Sequence, residues 1–324
     1  MSSNFNQTEV GKIPAIWDLK KIGEIDIVIG DGNYSSKYPK ENEFRNQGVP
    51  FISAVNLKGR EISKKGLRFI TKSQHKELKK GHLKTDDVLV VVRGNGVGQV
   101  ALVPAEYEDA NINAQLAFLR SGKTINGKFL YYLLSTNEYL TYIRKFVSGS
   151  AQPQLPIKSL KEVKISIPPL QTQKTIATIL STLDDKIELN RQTAQTLEAI
   201  AQAIFKEWFV DFNYPGATGE MQESELGGIP KGWRVGKLGE VVEVNPKLRI
   251  RKGNVAKYVE MKDLSETSLS INRFIEREFT SGSKFQNGDT LFARITPCLE
   301  NGKTGYVDSL MMMKLAGVLL NLSF

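Results

Sequence analysis

Between residues 170 and 213 the apolar positions recur in alternating steps of four and three: Ile176, Leu180, Leu183, Ile187, Asn190, Ala194, Leu197, Ala201, Ile204 and Trp208. Only a helix that meets another helix along its length needs that period. The stretch contains no Gly or Pro, so it predicts a rod from Leu170 to Phe212, roughly 64 Å long at about 1.5 Å per residue. Leu183-Asp184-Asp185 is the expected place for a kink or break. Asn190 on the seam would fix register, because only one alignment gives its amide a partner. If the helix broke before it, Asn190 would instead lie exposed. Phe205, Trp208, Phe209 and Phe212 are too many aromatics for a solvated helix end, and imply a docking surface for a domain or for another subunit.

Before the rod the pattern is different. Short β-type runs at Glu24–Ile29, Val49–Ala54, Val88–Arg93, Val100–Val103 and Ala114–Leu119 are punctuated by Gly, Asn and Ser. A helix is expected over Gly127–Phe146, with Phe129, Leu130, Leu133, Leu134, Leu140, Ile143 and Phe146 on one side. Pro168-Pro169 should end the last strand and open the rod. This is an α+β pattern rather than a repeating βαβ one.

A short phrase occurs twice. Ile13-Pro14-Ala15-Ile16-Trp17 with Ile22-Gly23-Glu24 returns as Ile229-Pro230-Lys231-Gly232-Trp233 with Leu238-Gly239-Glu240. Phe51–Leu57 echoes Tyr258–Leu264, and Asp87-Val88-Leu89 echoes Asp289-Thr290-Leu291, with the offset falling from 216 to 207 to 202 residues. The copies share a frame and differ in their loops, as expected if each reads a different target. The chain therefore divides into a globular mixed α/β domain (1–169), a long coiled-coil-forming helical rod (170–213) and a partial second domain (214–324). The second copy has no counterpart of the Gly127–Phe146 helix or of the Gln152-Pro153-Gln154 loop.

Leu310-Met311-Met312-Met313-Lys314 is unlike the rest of the chain. Methionine has one codon, and those bases read one nucleotide earlier encode an acidic, polar run. The expectation is that residues 311–324 are a frameshifted tail on an ancestrally longer protein. A genuine apolar C-terminal strand is the alternative.

Charge and cysteine count narrow the function. The net charge is +9, and residues 1–169 carry 25 Lys+Arg against 16 Asp+Glu, whereas the rod carries 4 against 6. A basic domain suggests a polyanion partner, although solubility alone would also explain it. The lone Cys298 excludes a disulfide framework and suits a reducing cytoplasm. Apolar runs such as Val88–Val92 are far too short to span a bilayer, so no membrane role is expected.

Catalytic patterns are near misses. Gly122-Lys123-Thr124 and Gly302-Lys303-Thr304 lack the first glycine of a phosphate loop, having Ala117 and Pro297 in its place. Gly94-Asn95-Gly96-Val97-Gly98 reads as a tight turn needing positive φ. Neither Asn245-Pro246-Lys247 nor Ile167-Pro168-Pro169-Leu170 supplies the Asn/Asp-Pro-Pro-aromatic motif that amino-methyltransferases use to hold a flipped base. His75 and His82 lie seven apart with no Cys, Asp or Glu grouping that resembles a metal site, and read as surface histidines in a lysine-rich turn. No metal ligand, cofactor or catalytic residue is expected in this chain.

Binding remains. Lys and Arg gather at Lys58, Arg60, Lys64, Lys65, Arg68, Lys72, Lys76, Lys79, Lys80 and Lys84, and such side chains position a protein on phosphates without reading sequence. Base reading needs polar side chains on presented loops. The candidates are Tyr34-Ser35-Ser36-Lys37, Arg93-Gly94-Asn95 and Ser148–Gln154, so the expected DNA-contacting set is Tyr34, Ser35, Ser36, Lys37, Lys58, Arg60, Lys72, Arg93, Asn95, Gln152 and Gln154. Each loop could equally be a plain strand connector.

Three stretches carry a resemblance. Ile167-Pro168-Pro169-Leu170-Gln171-x-Gln173-x-x-Ile176, then Leu183-Asp184-Asp185-Lys186-Ile187-Glu188-Leu189-Asn190, then Gln202-Ala203-x-Phe205-Lys206-x-Trp208-Phe209 resemble the central conserved region of type I restriction-modification specificity subunits. The openings at Ile13 and Ile229 look like the starts of that family's two target-recognition domains. The resemblance implies a non-catalytic subunit whose recognition domains each read half of a split double-stranded DNA site, with the rods setting the spacer. It further implies methyltransferase subunits docked along the rods, S-adenosylmethionine bound by those partners, and restriction subunits joining for cleavage. The family usually has a complete second domain and an antiparallel second rod, so this chain looks C-terminally truncated. An unpartnered seam would expose Ile176, Leu180, Leu183, Ile187 and Leu197, which predicts a homodimer through the central helices. Asn190, Ile204, Phe205 and Trp208 complete the expected subunit contacts. A coiled-coil adaptor without sequence-specific DNA binding is the competing expectation.

Overall fold

Short β-branched runs separated by Gly, Asn and Pro build the strands that precede the rod, and a helix without either breaker follows them. The computed structural model describes residues 5–32, 36–58, 61–149, 152–266, 268–271 and 273–308, and the backbone of 317–320. Two compact units emerge, Met1–Ala201 and Gln202–Phe324.

In the first unit the chain runs β1 (Phe5–Thr8), β2 (Gly11–Pro14), β3 (Asp18–Lys21), β4 (Ile27–Asp31), β5 (Val49–Ile52), β6 (Leu57–Lys58), β7 (Glu61–Ile62), β8 (Arg68–Ile70) and α1 (Lys72–Glu77). It continues through β9 (Val88–Val91), β10 (Val100–Leu102), β11 (Asn111–Ile112), β12 (Leu116–Ser121), α2 (Gly127–Leu134), α3 (Asn137–Arg144), α4 (Ile157–Glu162), β13 (Lys164–Ile167) and α5 (Leu170–Phe205). A four-stranded sheet has the order β10-β9-β12-β4, and a three-stranded one β11-β5-β8. One apolar core joins Val88, Val90, Ala117 and Leu119 of the sheet to Phe129, Leu130, Leu134 and Ile143 of α2 and α3. A second lies on the opposite sheet face, where Leu89, Val91, Leu116 and Phe118 meet Ile52 and Ile112. This alternation is what a sheet covered on both faces requires.

The expected helix over 127–146 is two helices. Ser135 and Thr136 interrupt it, and the Thr136 hydroxyl accepts the Tyr139 N–H at 3.3 Å, capping α3. Hydroxyl side chains compete for backbone donors and favour caps over helix interiors.

The rod does not break at Leu183-Asp184-Asp185; α5 is continuous through it. Asp184 is instead a tether, accepting the Tyr132 hydroxyl at 2.8 Å. Burial, and then that bond, push the Tyr132 phenol well above its ordinary value. Nearer the start of α5, Gln173 is 1% exposed. Its carbonyl accepts the Asn126 N–H at 2.9 Å, and its amide donates to Pro168 O at 2.9 Å and Thr124 O at 3.3 Å. A π-turn, Lys206–Val210, follows Phe205.

The second unit contains β14 (Met221–Ser224), β15 (Gly227–Pro230), β16 (Val255–Glu260), β17 (Ile275–Glu278), β18 (Ser283–Phe285), β19 (Thr290–Phe292), β20 (Thr304–Tyr306) and β21 (Gly317–Leu320). Its repeat of the first unit is geometric. Hairpin β1–β2 pairs Phe5 with Pro14 and Thr8 with Gly11, while β14–β15 pairs Met221 with Pro230 and Ser224 with Gly227. In each, the hydroxyl donates to a glycine carbonyl at 2.6 Å, Thr8 to Gly11 and Ser224 to Gly227. The turn beyond is also shared, with Trp17 N–H to Pro14 O and Trp233 N–H to Pro230 O, both 3.0 Å.

The correspondence extends to the tail. β5 pairs antiparallel with β8 and parallel with β11, and β16 pairs antiparallel with β17 and parallel with β21. The registers Phe51↔Asn111 and Tyr258↔Val318 are equivalent, with 317–320 as the strand on β16. The other residues of 311–324 lie outside the described residues.

Candidate nucleic-acid interface

Strand register decides which loops meet. β12 runs antiparallel to both β9 and β4, pairing Leu116 with Val91 and Ala117 with Asp31. The end of β4, the end of β9 and the start of β12 therefore lie in line at one end of the sheet. The loops that leave there contain Ser36 and Lys37 after β4, Arg93 and Asn95 after β9, and Asn113 and Gln115 before β12. Gly32, at the root of the first loop, is packed so closely that a Cβ would sit 2.1 Å from Asn113 O. Asn113 N–H also reaches Ile52 O at 2.9 Å, bringing the end of β5 to the same end.

The Ser148–Gln154 loop joins them by backbone bonds. Arg93 and Gln154 form a β-bridge, Gly94 N–H donates to Pro153 O at 3.0 Å, and Leu155 N–H donates to Val92 O at 2.9 Å. Ser148 and Gln154 exchange N–H···O bonds of 2.8 Å. Gly94, Gly98 and Gly149 have φ of 95°, 91° and 84°, the left-handed turns that glycine permits.

The structure thus brings the loops carrying Ser36, Lys37, Arg93, Asn95, Gln152 and Gln154 to one end of the sheet from distant parts of the sequence, while Lys58 lies on the β6–β7 hairpin opposite Glu61. Ser36, Lys37, Lys58, Asn95 and Gln152 are exposed, and Arg93 and Gln154 are half-buried. Lys37 donates to Glu77 at 2.7 Å, so part of its charge is already matched, and this pair links the loop after β4 to α1. Lys72 opens α1 and is exposed. Tyr34, Ser35 and Arg60 lie outside the described residues.

The subunit-contact set divides. Ile176 and Leu180 are not exposed; they are half-buried and pack on the core of their own unit, beside the buried Ala177. The start of the seam faces the domain that Gln173 and Asp184 tether it to. Beyond it the seam is bare, with Leu183, Ile187 and Leu197 at 56%, 65% and 61% exposure. Asn190 is exposed on the unbroken helix. Ile204, Phe205 and Trp208 are exposed as well. Neighbouring aromatics dock on the repeated phrase, where Phe209, Phe212 and Tyr214 surround Trp233 with ring centroids 6.4, 5.6 and 5.7 Å away.

His75 and His82 are not separate surface histidines. Their ring centroids are 4.4 Å apart, and Asp109, from a different loop, reaches both. Spacing in sequence gave no sign of this carboxylate. Gln173 was likewise visible only as part of the resembled motif, without a role, and Asp184 only as part of an expected kink.

No helix among the described residues is long and apolar enough to cross a membrane. Comparison with known proteins identifies the scaffold. The profile of the type I restriction modification DNA specificity domain matches residues 14–199. The MjaIX type I restriction enzyme specificity subunit of Methanocaldococcus jannaschii is 33% identical over 245 residues, covering 75% of this chain and 55% of that protein. The HindI specificity subunit of Haemophilus influenzae is 35% identical over 134 residues, covering 40% of this chain and 29% of that protein. A solved type I restriction-modification S subunit from M. genitalium aligns with TM-score 0.49 and 16% identity, covering 95% of this chain and 71% of that one. The chain spans about half the length, or less, of these curated relatives. With the family profile covering more than half of its residues, the chain belongs to the type I restriction-modification DNA specificity domain family.

Proposed function

We propose that this chain is the DNA sequence-recognition subunit of a type I restriction-modification complex, and that its first unit reads one half of a bipartite double-stranded site. The observation that carries this is the convergence of the loops bearing Arg93, Asn95, Gln152 and Gln154, with the loop bearing Ser36 and Lys37, at one end of one sheet. Bidentate Arg, Asn and Gln side chains are the groups that distinguish base edges, and lysines match phosphates. A rigid sheet holding several short loops is the arrangement that presents such groups together.

The chain itself is non-catalytic on this reading. Methyltransferase subunits dock along α5, bring S-adenosylmethionine bound to themselves, and restriction subunits join that assembly in the cytoplasm. The bare seam from Leu183 to Ile204 is covered by the same seam of a second chain, giving a two-fold dimer that reads a palindromic split site.

The test is methylome sequencing of a host carrying the cognate methyltransferase, with and without this gene. A methylated motif that appears only with the gene, and changes when Arg93 and Gln154 are replaced, supports the reading. Unchanged methylation, together with DNA binding too weak to vary with salt, would favour a protein-only adaptor.

A further inference from the structure

We propose that His75, His82 and Asp109 form a binding site for one divalent transition cation of the zinc class. His75 Nε2 lies 3.1 Å from one oxygen of Asp109, and His82 Nδ1 lies 3.4 Å from the other. The three donor atoms all fall within 4.8 Å of one another. Zinc–nitrogen bonds of about 2.0–2.1 Å in a tetrahedron place neighbouring ligand atoms about 3.3 Å apart, which the two measured separations bracket.

The hydrogen bonds behind the rings assign the lone pairs. His75 Nδ1 faces Asn111 Oδ1 at 2.6 Å, and His82 Nε2 faces the Leu78 carbonyl. Both oxygens only accept, so those nitrogens carry hydrogen. In a neutral ring the lone pair is then on His75 Nε2 and on His82 Nδ1, and both are turned to the same carboxylate. Three electron-rich atoms facing one another offer a cation three ligands. Ligating histidines are oriented in this way, by their other N–H donating to a carbonyl.

The backbone contributes a second observation. Asp109 has φ of 62°, in the left-handed region, and its N–H is fixed to Leu83 O at 3.0 Å. Such conformations concentrate where a side chain must be aimed. His75 is nearly buried at 12% side-chain exposure, while His82 at 33% and Asp109 at 69% leave a solvent-facing fourth position for water. A bound ion would clip α1, the turn at His82 and the loop entering β11, the frame that carries Lys72, Lys76, Lys79 and Lys80.

The chain has 2 histidines, so both ring signals can be followed without ambiguity. Untagged full-length protein with Cys298→Ser, which removes the thiol, is titrated with zinc against a chromophoric chelator, while long-range ¹⁵N–¹H spectra report the imidazoles. One equivalent should bind and shift both rings together. Asp109→Asn keeps a residue that tolerates this φ, and should weaken binding at least about tenfold. Absence of stoichiometric binding, movement of one ring only, or equal affinity in Asp109→Asn would each overturn the site in favour of a protonated histidine–aspartate pairing.

Discussion

Gln173→Met tests how the long helix is seated. The substitution keeps the length and volume of the side chain but removes both polar atoms. Asn126 N–H then loses its acceptor at 2.9 Å, Pro168 O loses a donor at 2.9 Å, and Thr124 O loses a longer one at 3.3 Å. A buried group left without a partner costs about 1–3 kcal/mol, and carbonyls retain a second lone pair. One full orphan and two partial ones, offset in part by added apolar burial, give about 2.5 kcal/mol, on the order of 70-fold in the seating equilibrium. With a urea m-value of about 2 kcal/mol/M, the unfolding midpoint of the first unit should fall by about 1.2 M. Amide exchange at Asn126 should accelerate in proportion. Gln171→Met is the control, because Gln171 is exposed two residues away and its replacement should stay within about 0.5 kcal/mol. If the two variants unfold alike, hydrogen bonds at Gln173 do not hold the helix and apolar contacts at Ile176 and Ala177 do.

Other outcomes are expected on the same physical grounds. Arg93→Ala should weaken specific DNA binding by about 1–3 kcal/mol and relax specificity at one base, whereas Lys58→Ala should weaken all sequences alike and lower the salt slope by about 1, both measured by fluorescence anisotropy. Ile187→Glu on the bare seam should leave the unfolding midpoint of the monomer almost unchanged and convert a micromolar dimer to monomer in sedimentation velocity; a monomeric parent chain would end the pairing argument. Hydrogen bonds from Arg191, and then Gln192, hold the Glu188 carboxyl at about 2, below its ordinary 4.5. A depressed folded-state value stabilises above 4.5 and loses that contribution as pH falls toward about 2; the pair is exposed, so only a small, solvent-screened loss of stability should appear across this window. Glu188→Gln should remove that part of the acid transition, and an identical profile in both proteins would refute it.

How much could be read from residues alone depends on whether the relevant distance is local. The rod and its start after Pro168-Pro169 follow from a period and two prolines, and both appear as expected. The division of the 127–146 helix was written in Ser135-Thr136, a cap signal outweighed by the apolar face around it. Ile176 and Leu180 satisfy the same period whether they meet a second helix or their own domain, so periodicity cannot choose between them. Leu183-Asp184-Asp185 reads as a place for a kink, because the partner that makes Asp184 a tether, Tyr132, is 52 residues away. The meeting of the Arg93 and Gln154 loops and the approach of Asp109 to two histidines depend on cross-strand register, which no window of sequence reports.

The two hairpins at Phe5–Pro14 and Met221–Pro230 keep one register although the offset between the copies drifts by 14 residues further along. A slip of one residue would turn every side chain of a strand to the wrong face, so insertions and deletions survive only outside the ladders. Evolution can therefore rewrite the tips of such a molecule while its frame is inherited unchanged. New preferences would be acquired by exchanging short connectors, without refolding the body that displays them.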